Sequence, residues 1–218
     1  MGSARTVQWV PIMRTLANRA YIFGCIVWLV SIGAGFSVLA KYSATQGKAA
    51  FPQDIWPKAS SLVRPSDGDF LLLFVHPQCP CSTASIGELN RLMANCQGRL
   101  AVSVLFVKPP GLAREWEKSA LWRSAAQIPG VNIACDDGGI EAARFDASTS
   151  GQTFLYSSDG KLLFRGGITA SRGHAGDNAG SDAIALLVNG QTPAINHTPV
   201  FGCSLSDPSD LRKAICRH

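Results

Sequence analysis

The first 50 residues of the chain contain no acidic side chain, although they contain five basic ones. The whole chain has a formal net charge of +5, so residues 51–218 are neutral overall. Proteins that bind nucleic acid usually carry a basic patch on the folded domain. The charge distribution therefore gives no support for a nucleic-acid partner and assigns the positive charge to the N-terminus.

Several motifs that carry chemistry in other proteins are also missing. The sequence has no glycine-rich phosphate loop, no serine nucleophile motif and no helix with two metal-binding histidines. It has no internal repeat, and it contains only three methionines and four histidines. Among the residue types that carry chemistry, the seven cysteines are the most prominent candidates.

One apolar segment, residues 20–40, has no charged residue and is long enough to cross a membrane. Three arginines precede it and two lysines closely follow it, which favours a cytoplasmic N-terminus and an exported domain. Residues 1–19 are therefore predicted to be cytoplasmic and residues 20–40 to be an uncleaved transmembrane anchor. A cleaved signal peptide ending at Ala40 is the alternative, although its apolar region would exceed the usual ~7–15 residues.

The candidate chemistry lies in residues 70–93. The apolar run Phe70–Val75 has the composition of a strand buried on both faces. Cys79 and Cys81, separated by one proline, follow in a short turn, and apolar residues recur at helical spacing after Ser82. A helix N-terminus favours a thiolate through its dipole and its unpaired N–H groups. Cys79 is predicted to be the more exposed, attacking thiol and Cys81 the resolving thiol.

The rest of the chain alternates strands and helices. The patterns predict strands at 100–108 and 131–135, helices at 112–127, 142–145 and 182–188, and a hairpin over 153–165 around an Asp-Gly turn. Residues 41–65 are predicted to be a linker whose apolar residues can pack on the domain. Residues 191–218 are predicted to be a C-terminal extension.

This order of elements, with a dithiol turn at a helix start, resembles the thioredoxin fold over about residues 66–190. The hairpin sequence TFLYSSDGKLLF is similar to that of membrane-tethered bacterial thioredoxin-like proteins of the cytochrome-maturation type. Cys79-Pro80-Cys81, together with residues 166–169 and 171–174, resembles the exported thioredoxin-like group labelled RedB.

The resemblance implies an α/β protein of three α/β/α layers with a central mixed sheet, preceded by one transmembrane helix. It also implies a thiol–disulfide oxidoreductase that needs no cofactor and whose partner is a thiol- or disulfide-bearing protein or a small thiol. The expected location is a bacterial inner membrane, crossed once, with the domain facing the periplasm.

Two features depart from the thioredoxin pattern. Thioredoxins have two residues between their cysteines, whereas Pro80 stands alone here, and the resulting small ring predicts a strained disulfide with a comparatively oxidising potential. Thioredoxins also have a cis-proline facing the dithiol, whereas residues 150–153 contain no proline. Because that proline shapes peptide binding in the family, its absence puts ordinary protein-disulfide substrates in question.

Two histidines and one arginine are candidate partners of the dithiol. His76 can raise the thiolate fraction of Cys79 or act as a metal ligand. The loop after the hairpin is expected to return beside Cys79, with Arg172 as a cation favouring the thiolate and His174 as a proton shuttle. An alternative function is therefore copper binding or delivery, with ligands from Cys79, Cys81 and either His76 or His174. The structural alternatives are a fixed disulfide or two buried thiols, an exposed histidine and a solvated glycine-rich loop.

Four more cysteines follow the dithiol, namely Cys96, Cys135, Cys203 and Cys216. An even number of exported cysteines is typical of paired ones, so structural bridges are the default prediction for these four. The sequence leaves their pairing open. Relay of electrons from Cys203 to the dithiol is a further alternative.

Overall fold

The computed structural model of the protein describes residues 10–96 and 98–205. These residues fall into two compact units that divide between Tyr42 and Ser43. The predictions made for residues 1–9 and for Cys216 lie outside the described residues.

The first unit lies within helix α1, Val10–Ala44. Its part Ala17–Ala44 is 28 residues long, has a mean hydropathy of 2.2 over its most apolar window, and buries none of that window in the protein. A soluble core helix would bury such a surface, whereas a helix of this length and composition can cross a membrane. The predicted span, residues 20–40, thus lies inside a longer apolar helix.

The second unit contains five strands: β1 Asp69–Val75, β2 Leu100–Lys108, β3 Val131–Asp137, β4 Gln152–Tyr156 and β5 Leu162–Gly166. They form one mixed sheet in the order β3-β2-β1-β4-β5. β1 lies at the centre, parallel to β2 and antiparallel to β4, while β3 extends the parallel side and β5 the antiparallel side. A central strand flanked on both sides needs apolar residues on both faces, which agrees with the apolar run in β1.

Alternate residues of β1 enter two different cores. Leu71 and Leu73 pack in a cluster with residues of three helices. On the other face, Phe70, Leu72 and Phe74 pack with the short helix α4 (Ile140–Arg144) and the chain before β1. The fold therefore has three layers, as predicted for an α/β protein with a central mixed sheet. The helices of this unit are α2 Ser82–Cys96, α3 Ala120–Ala126, α4 Ile140–Arg144 and α5 Ala179–Val188.

The helix predicted at 112–127 is wrong in its first half. α3 begins only after Ser119, whose hydroxyl accepts a hydrogen bond from the Trp122 N–H at 3.4 Å. Before it, Glu115 has a φ of 69°, which a helix does not allow. The apolar periodicity of this stretch comes from turns that pack on the domain.

The chain on both sides of the predicted thioredoxin-like region packs against it. Trp56, in the predicted linker, lies with its ring 5.0 Å from that of Phe145 and 5.2 Å from that of Tyr156. At the other end, Val200 and Leu205 are buried in the same compact unit. Residues 43–65 and 191–205 are therefore parts of the folded unit.

Candidate functional site

The dithiol lies in the turn that joins β1 to α2. The Cys79 N–H donates to the His76 carbonyl at 3.0 Å, and the Ser82 N–H donates to the Cys79 carbonyl at 3.1 Å. These bonds hold both cysteines at the first turn of α2, beyond the carboxyl end of the central strand. Cys79 is only 1% exposed and Cys81 is 7% exposed. The prediction that Cys79 is the more exposed thiol is wrong.

A third thiol, that of Cys203, lies beside the other two. The sulfur atoms of Cys79, Cys81 and Cys203 all lie within 4.8 Å of one another, and all three cysteines are free. The backbone N–H of Cys203 points at the Cys79 sulfur, at an N–S distance of 3.4 Å. The site is therefore a cluster of three thiols, in which the third is Cys203, named from the sequence only as an alternative electron relay.

Cys203 reaches the dithiol because its segment pairs with the chain before β4. The Ser150 N–H donates to the Cys203 carbonyl at 2.8 Å, and the Leu205 N–H donates to the Ser148 carbonyl at 3.0 Å. Thr149 and Ser204 form an antiparallel bridge between these bonds. We call residues 199–205 the covering segment, because it lies against the buried Cys79 through the backbone N–H of Cys203.

Gly202 allows this close approach. A Cβ atom at position 202 would lie 1.8 Å from the Ser150 carbonyl oxygen, far inside any allowed contact. Only glycine lets two backbones approach so closely. Gly202 thereby lets the next residue, Cys203, reach the dithiol.

The Cys79 thiol has a pKa below the ordinary value for cysteine. Burial pushes the pKa up, but hydrogen bonds from the side chain of Ser82 and from the side chain and backbone of Cys203 outweigh it. Donors that stabilise the charged form lower a thiol pKa, and the start of α2 acts in the same direction. Cys79 is thus the thiol of the cluster most suited to be a thiolate.

The other two thiols have the opposite shift. Burial and the neighbouring charge of Cys79 raise the pKa of Cys81, although Arg172 lowers it through its charge and a hydrogen bond. Burial, followed by the interaction with Cys79, raises the pKa of Cys203 to about 12. Of the three thiols, Cys79 is therefore the one that loses its proton most readily.

Arg172 lies where the topology placed it, at the sheet edge beside the dithiol. Its Nη1 atom donates to the Gly202 carbonyl at 2.6 Å, and its Nε atom donates to the Thr45 carbonyl at 3.0 Å. The guanidinium also interacts with Cys81. Arg172 thus joins the dithiol to the covering segment and to the chain after α1.

His76 is buried and its ring is held by two contacts. The ring lies edge-on to Trp116 at a centroid distance of 5.6 Å, and its Nδ1 atom accepts from the Gln78 N–H at 3.2 Å. An accepting Nδ1 leaves the Nε2 atom as the one that carries the proton in a neutral ring. The structure therefore shows a packed histidine below the turn, and the alternative of an exposed histidine is wrong.

His174 is exposed on the loop that follows β5. Its backbone N–H donates to the Ser171 carbonyl at 3.2 Å. The loop is fixed to α2 by buried Glu88, whose carboxylate accepts from the Gly176 N–H at 2.7 Å and lies 3.4 Å from the Asn178 amide nitrogen. In the part of the chain that the structure describes, no hydrogen bond joins the His174 ring to a thiol.

A buried serine, Ser150, begins the stretch 150–153 in which the thioredoxin resemblance leads one to expect a proline. The buried Ser150 hydroxyl accepts from the His76 backbone N–H at 2.7 Å and lies 2.7 Å from the Ser82 hydroxyl. Among the described residues no peptide bond is cis. This serine pair connects the end of β1, the start of α2 and the covering segment through hydrogen bonds.

The ligand set of a metal would differ from the one predicted. Among the described residues, one group of three or more histidine, cysteine, aspartate or glutamate side chains brings its ligand atoms together. It consists of Cys79, Cys81 and Cys203. The ring nitrogens of His76 and His174 do not belong to it. Three convergent thiols suit a soft ion such as Cu(I), and also Zn²⁺.

The remaining described cysteines are not members of this cluster. Cys96 is buried at the end of α2, Cys135 is exposed on β3, and Cys25 lies within α1. All three are free thiols, so the structural bridges predicted for Cys96 and Cys135 are not formed between described residues.

Comparison with known proteins gives likenesses of structure. An uncharacterized conserved protein from Geobacillus kaustophilus has a TM-score of 0.54 at 19% identity, covering 76% of this chain and 94% of that one. A hypothetical protein from Sinorhizobium meliloti has a TM-score of 0.52 at 20% identity, with coverages of 75% and 94%. A secreted Mycobacterium tuberculosis disulfide oxidoreductase, described as homologous to E. coli DsbE, has a TM-score of 0.42 at 15% identity, with coverages of 56% and 81%.

No family model matches the chain, and no curated protein matches its sequence. At such low identities the structural likenesses concern the fold alone. The strand order, the parallel β1-α2-β2 unit, the hairpin β4-β5 and the dithiol at the start of α2 together make the fold thioredoxin-like. The predicted fold class is thereby confirmed.

Proposed function

We propose that the chain is an exported, membrane-anchored thiol–disulfide oxidoreductase that reacts through Cys79 and Cys81. The observation that carries the proposal is a buried thiol of lowered pKa at the start of α2, with a second thiol within 4.8 Å. Such a pair has both parts that disulfide exchange needs, a nucleophilic thiolate and a neighbouring resolving thiol.

In the reducing direction, the Cys79 thiolate attacks one sulfur of a partner disulfide. The partner's S–S bond breaks, its other sulfur leaves as a thiolate and takes up a proton, and a mixed disulfide forms on Cys79. Cys81 then loses its proton and attacks the Cys79 sulfur, which releases the second partner thiol. The partner gains two electrons and two protons, and Cys79 and Cys81 become a disulfide.

Arg172 supports this exchange from its position beside Cys81. A guanidinium close to a thiol stabilises the thiolate that must form when Cys81 resolves the mixed disulfide. His174, on the same loop, is proposed as the proton donor to the leaving thiol once a partner has bound.

The apolar helix α1 supports a place at a membrane. Its residues 20–40 are proposed to be a single transmembrane anchor in a bacterial inner membrane, with the oxidoreductase domain in the periplasm. Free thiols become disulfides readily in such an oxidising compartment. The partner there is proposed to be a thiol- or disulfide-bearing protein or a small thiol, and no cofactor is needed.

The full chain in detergent micelles provides the test. With dithiothreitol as the reductant, Cys79→Ser is expected to lower the reduction rate of a disulfide-linked peptide to that of dithiothreitol alone, because the attacking thiolate is removed. Cys135→Ser, which removes an exposed thiol on β3, is the matched control and should leave the rate unchanged. Equal rates for the wild type and Cys79→Ser would contradict the proposal.

A second function, the binding of copper, is favoured by the three convergent thiols. Cys79, Cys81 and Cys203 are proposed as ligands of Cu(I), in place of a set that includes His76 or His174. Titration of the full chain with Cu(I), under a glutathione buffer, separates the two ligand sets. Cys203→Ser should weaken binding and His174→Ala should not. Tight stoichiometric copper that also blocks Cys79–Cys81 oxidation would make metal binding the leading function.

A further inference from the structure

The covering segment is bound to the site as an extended peptide would be. Its backbone forms alternate hydrogen bonds with Ser148 and Ser150, at 3.0 and 2.8 Å, in antiparallel order. Addition of a strand in this way is a common mode of peptide recognition, in which the backbone supplies affinity and the side chains supply specificity. Here the bound strand belongs to the chain itself, and the side chain that meets the dithiol is a cysteine.

Several independent contacts hold this cysteine in place. Its N–H points at the Cys79 sulfur at 3.4 Å, and Arg172 fixes the preceding carbonyl, that of Gly202, at 2.6 Å. Val200 and Leu205 are buried on either side, which anchors the segment at both ends. Cys203 is therefore positioned against Cys79 by its surroundings, as a substrate thiol would be.

We propose that Cys203 is a third redox-active cysteine, which forms a disulfide with Cys79 in alternation with the Cys79–Cys81 disulfide. The inference rests on the proposed thiol chemistry of Cys79. The covering segment is in this sense a built-in substrate, and an external partner strand has to displace it to reach Cys79.

The exchange needs no group outside the chain once one disulfide is present. Starting from Cys79–Cys81, the Cys203 thiol loses a proton and attacks the Cys79 sulfur. The Cys79–Cys81 bond breaks, a Cys79–Cys203 bond forms, and the Cys81 thiolate takes up a proton. No electrons are gained or lost overall. Formation of the first disulfide consumes an external disulfide, such as oxidised glutathione, which is reduced to two thiols.

Trapping of glutathione on Cys79 provides the test, with the full chain reduced in detergent and then mixed with oxidised glutathione. In the double variant Cys81→Ser/Cys203→Ser no resolving thiol remains, so a stable glutathione adduct on Cys79 is expected by mass spectrometry. In Cys81→Ser alone, Cys203 should displace the glutathione and leave a Cys79–Cys203 cross-linked peptide in a non-reducing digest. Release should be faster than in the double variant by at least on the order of tenfold, because the thiol is held in place.

A backbone variant tests the role of the covering segment without removal of a sulfur. Gly202→Ala, in the Cys81→Ser background, should prevent the close approach to Ser150 and slow the displacement of glutathione by Cys203. Gly87→Ala is the matched control, because an added Cβ at Gly87 on α2 meets no atom within 4 Å. This control should keep the rate of the Cys81→Ser parent.

The outcomes separate this inference from the proposed function. A double variant that takes up no glutathione on Cys79 would overturn the thiol chemistry on which both depend. A Cys81→Ser variant that keeps glutathione as long as the double variant would overturn the role of Cys203 alone. In the wild type, Cys203 found locked to Cys216 under all redox conditions would overturn it independently of any variant.

Discussion

At the scale of single residues, the site depends on which thiol is deprotonated. Cys79 is almost completely buried, and burial alone would keep its proton in place. Hydrogen bonds from Ser82 and Cys203 reverse that effect, so the thiolate is stabilised by donors and not by exposure. The sequence predicted an exposed Cys79 and missed its burial, because that burial involves a segment more than 120 residues further along the chain.

Ser82→Ala tests this explanation directly. Loss of the hydroxyl donor should raise the pKa of Cys79, so that the thiolate forms at higher pH than in the wild type. The measurement is the ultraviolet thiolate absorbance of the reduced full chain against pH, with the Cys79→Ser trace subtracted. Thr83→Ala, at the next and exposed position of α2, is the control. An unchanged midpoint in Ser82→Ala would show that this donor does not set the pKa.

At the scale of elements, sequence patterns predicted those strands, helices and turns that depend on interactions between neighbouring residues. The apolar run of β1, the helical period after Ser82 and the Asp-Gly turn of the hairpin each depend on neighbours within a few residues, and all three elements form. The helix boundary at Ser119 was missed because two tryptophans mimic an apolar face. The anchoring of the loop after β5 by Glu88 was missed because it joins residues nearly 90 positions apart.

The short helix α4 depends on one capping carboxylate. Asp136 accepts from the Glu141 N–H at 2.9 Å and from the Ala142 N–H at 2.8 Å, and it is buried. Asp136→Ala should therefore destabilise the domain by about 1–2 kcal/mol, the usual cost of a lost cap. Thermal unfolding of the full chain in detergent measures this, with Asp137→Ala as control. Asp137 is exposed and pairs with Lys108, so its loss should cost about 1 kcal/mol or less. Equal losses would contradict the capping role of Asp136.

At the scale of the whole molecule, the folded unit extends beyond the thioredoxin-like region at both ends. The chain before β1 adds Trp56 to one core, and the covering segment adds Cys203 to the site. The sequence predicts that apolar residues of the linker pack on the domain, whereas a tail of mixed polarity reads alike whether it packs or not. Apolar Val200 and Phe201 before Gly202-Cys203 were the only signal that this tail folds back.

Glu141 connects the chain before β1 to the domain. Its lowered pKa leads us to expect that the stability of the fold depends on pH. Burial raises the pKa of its carboxyl, but hydrogen bonds from Ser61 and Ser60, together with Arg144, outweigh it and lower the pKa overall. Because the folded-state pKa lies below the unfolded one, the carboxylate stabilises the fold above about pH 4.3 and loses this effect as pH falls through the folded pKa. Glu141→Gln should therefore lower the free energy of unfolding by about 2 kcal/mol at neutral pH. The difference from the wild type should be smaller at acidic pH.

Thermal unfolding of the full chain between neutral and acidic pH measures the effect. Glu115→Gln is the control, since Glu115 forms an exposed pair with Lys118 and should have little influence. A difference between Glu141→Gln and the wild type that stays constant with pH would contradict the stabilisation by the charged carboxylate.

The reduction potential of the Cys79–Cys81 couple tests the proposed redox function most directly. The full chain is equilibrated with glutathione buffers of graded ratio, quenched with acid, alkylated and mapped by mass spectrometry without reduction. A two-electron transition assigned to Cys79 is expected at a potential above that of thioredoxin, about −270 mV, because the ring with one intervening residue is strained. A pair that stays as free thiols or stays oxidised at every ratio, or a midpoint well below that of thioredoxin, would contradict it.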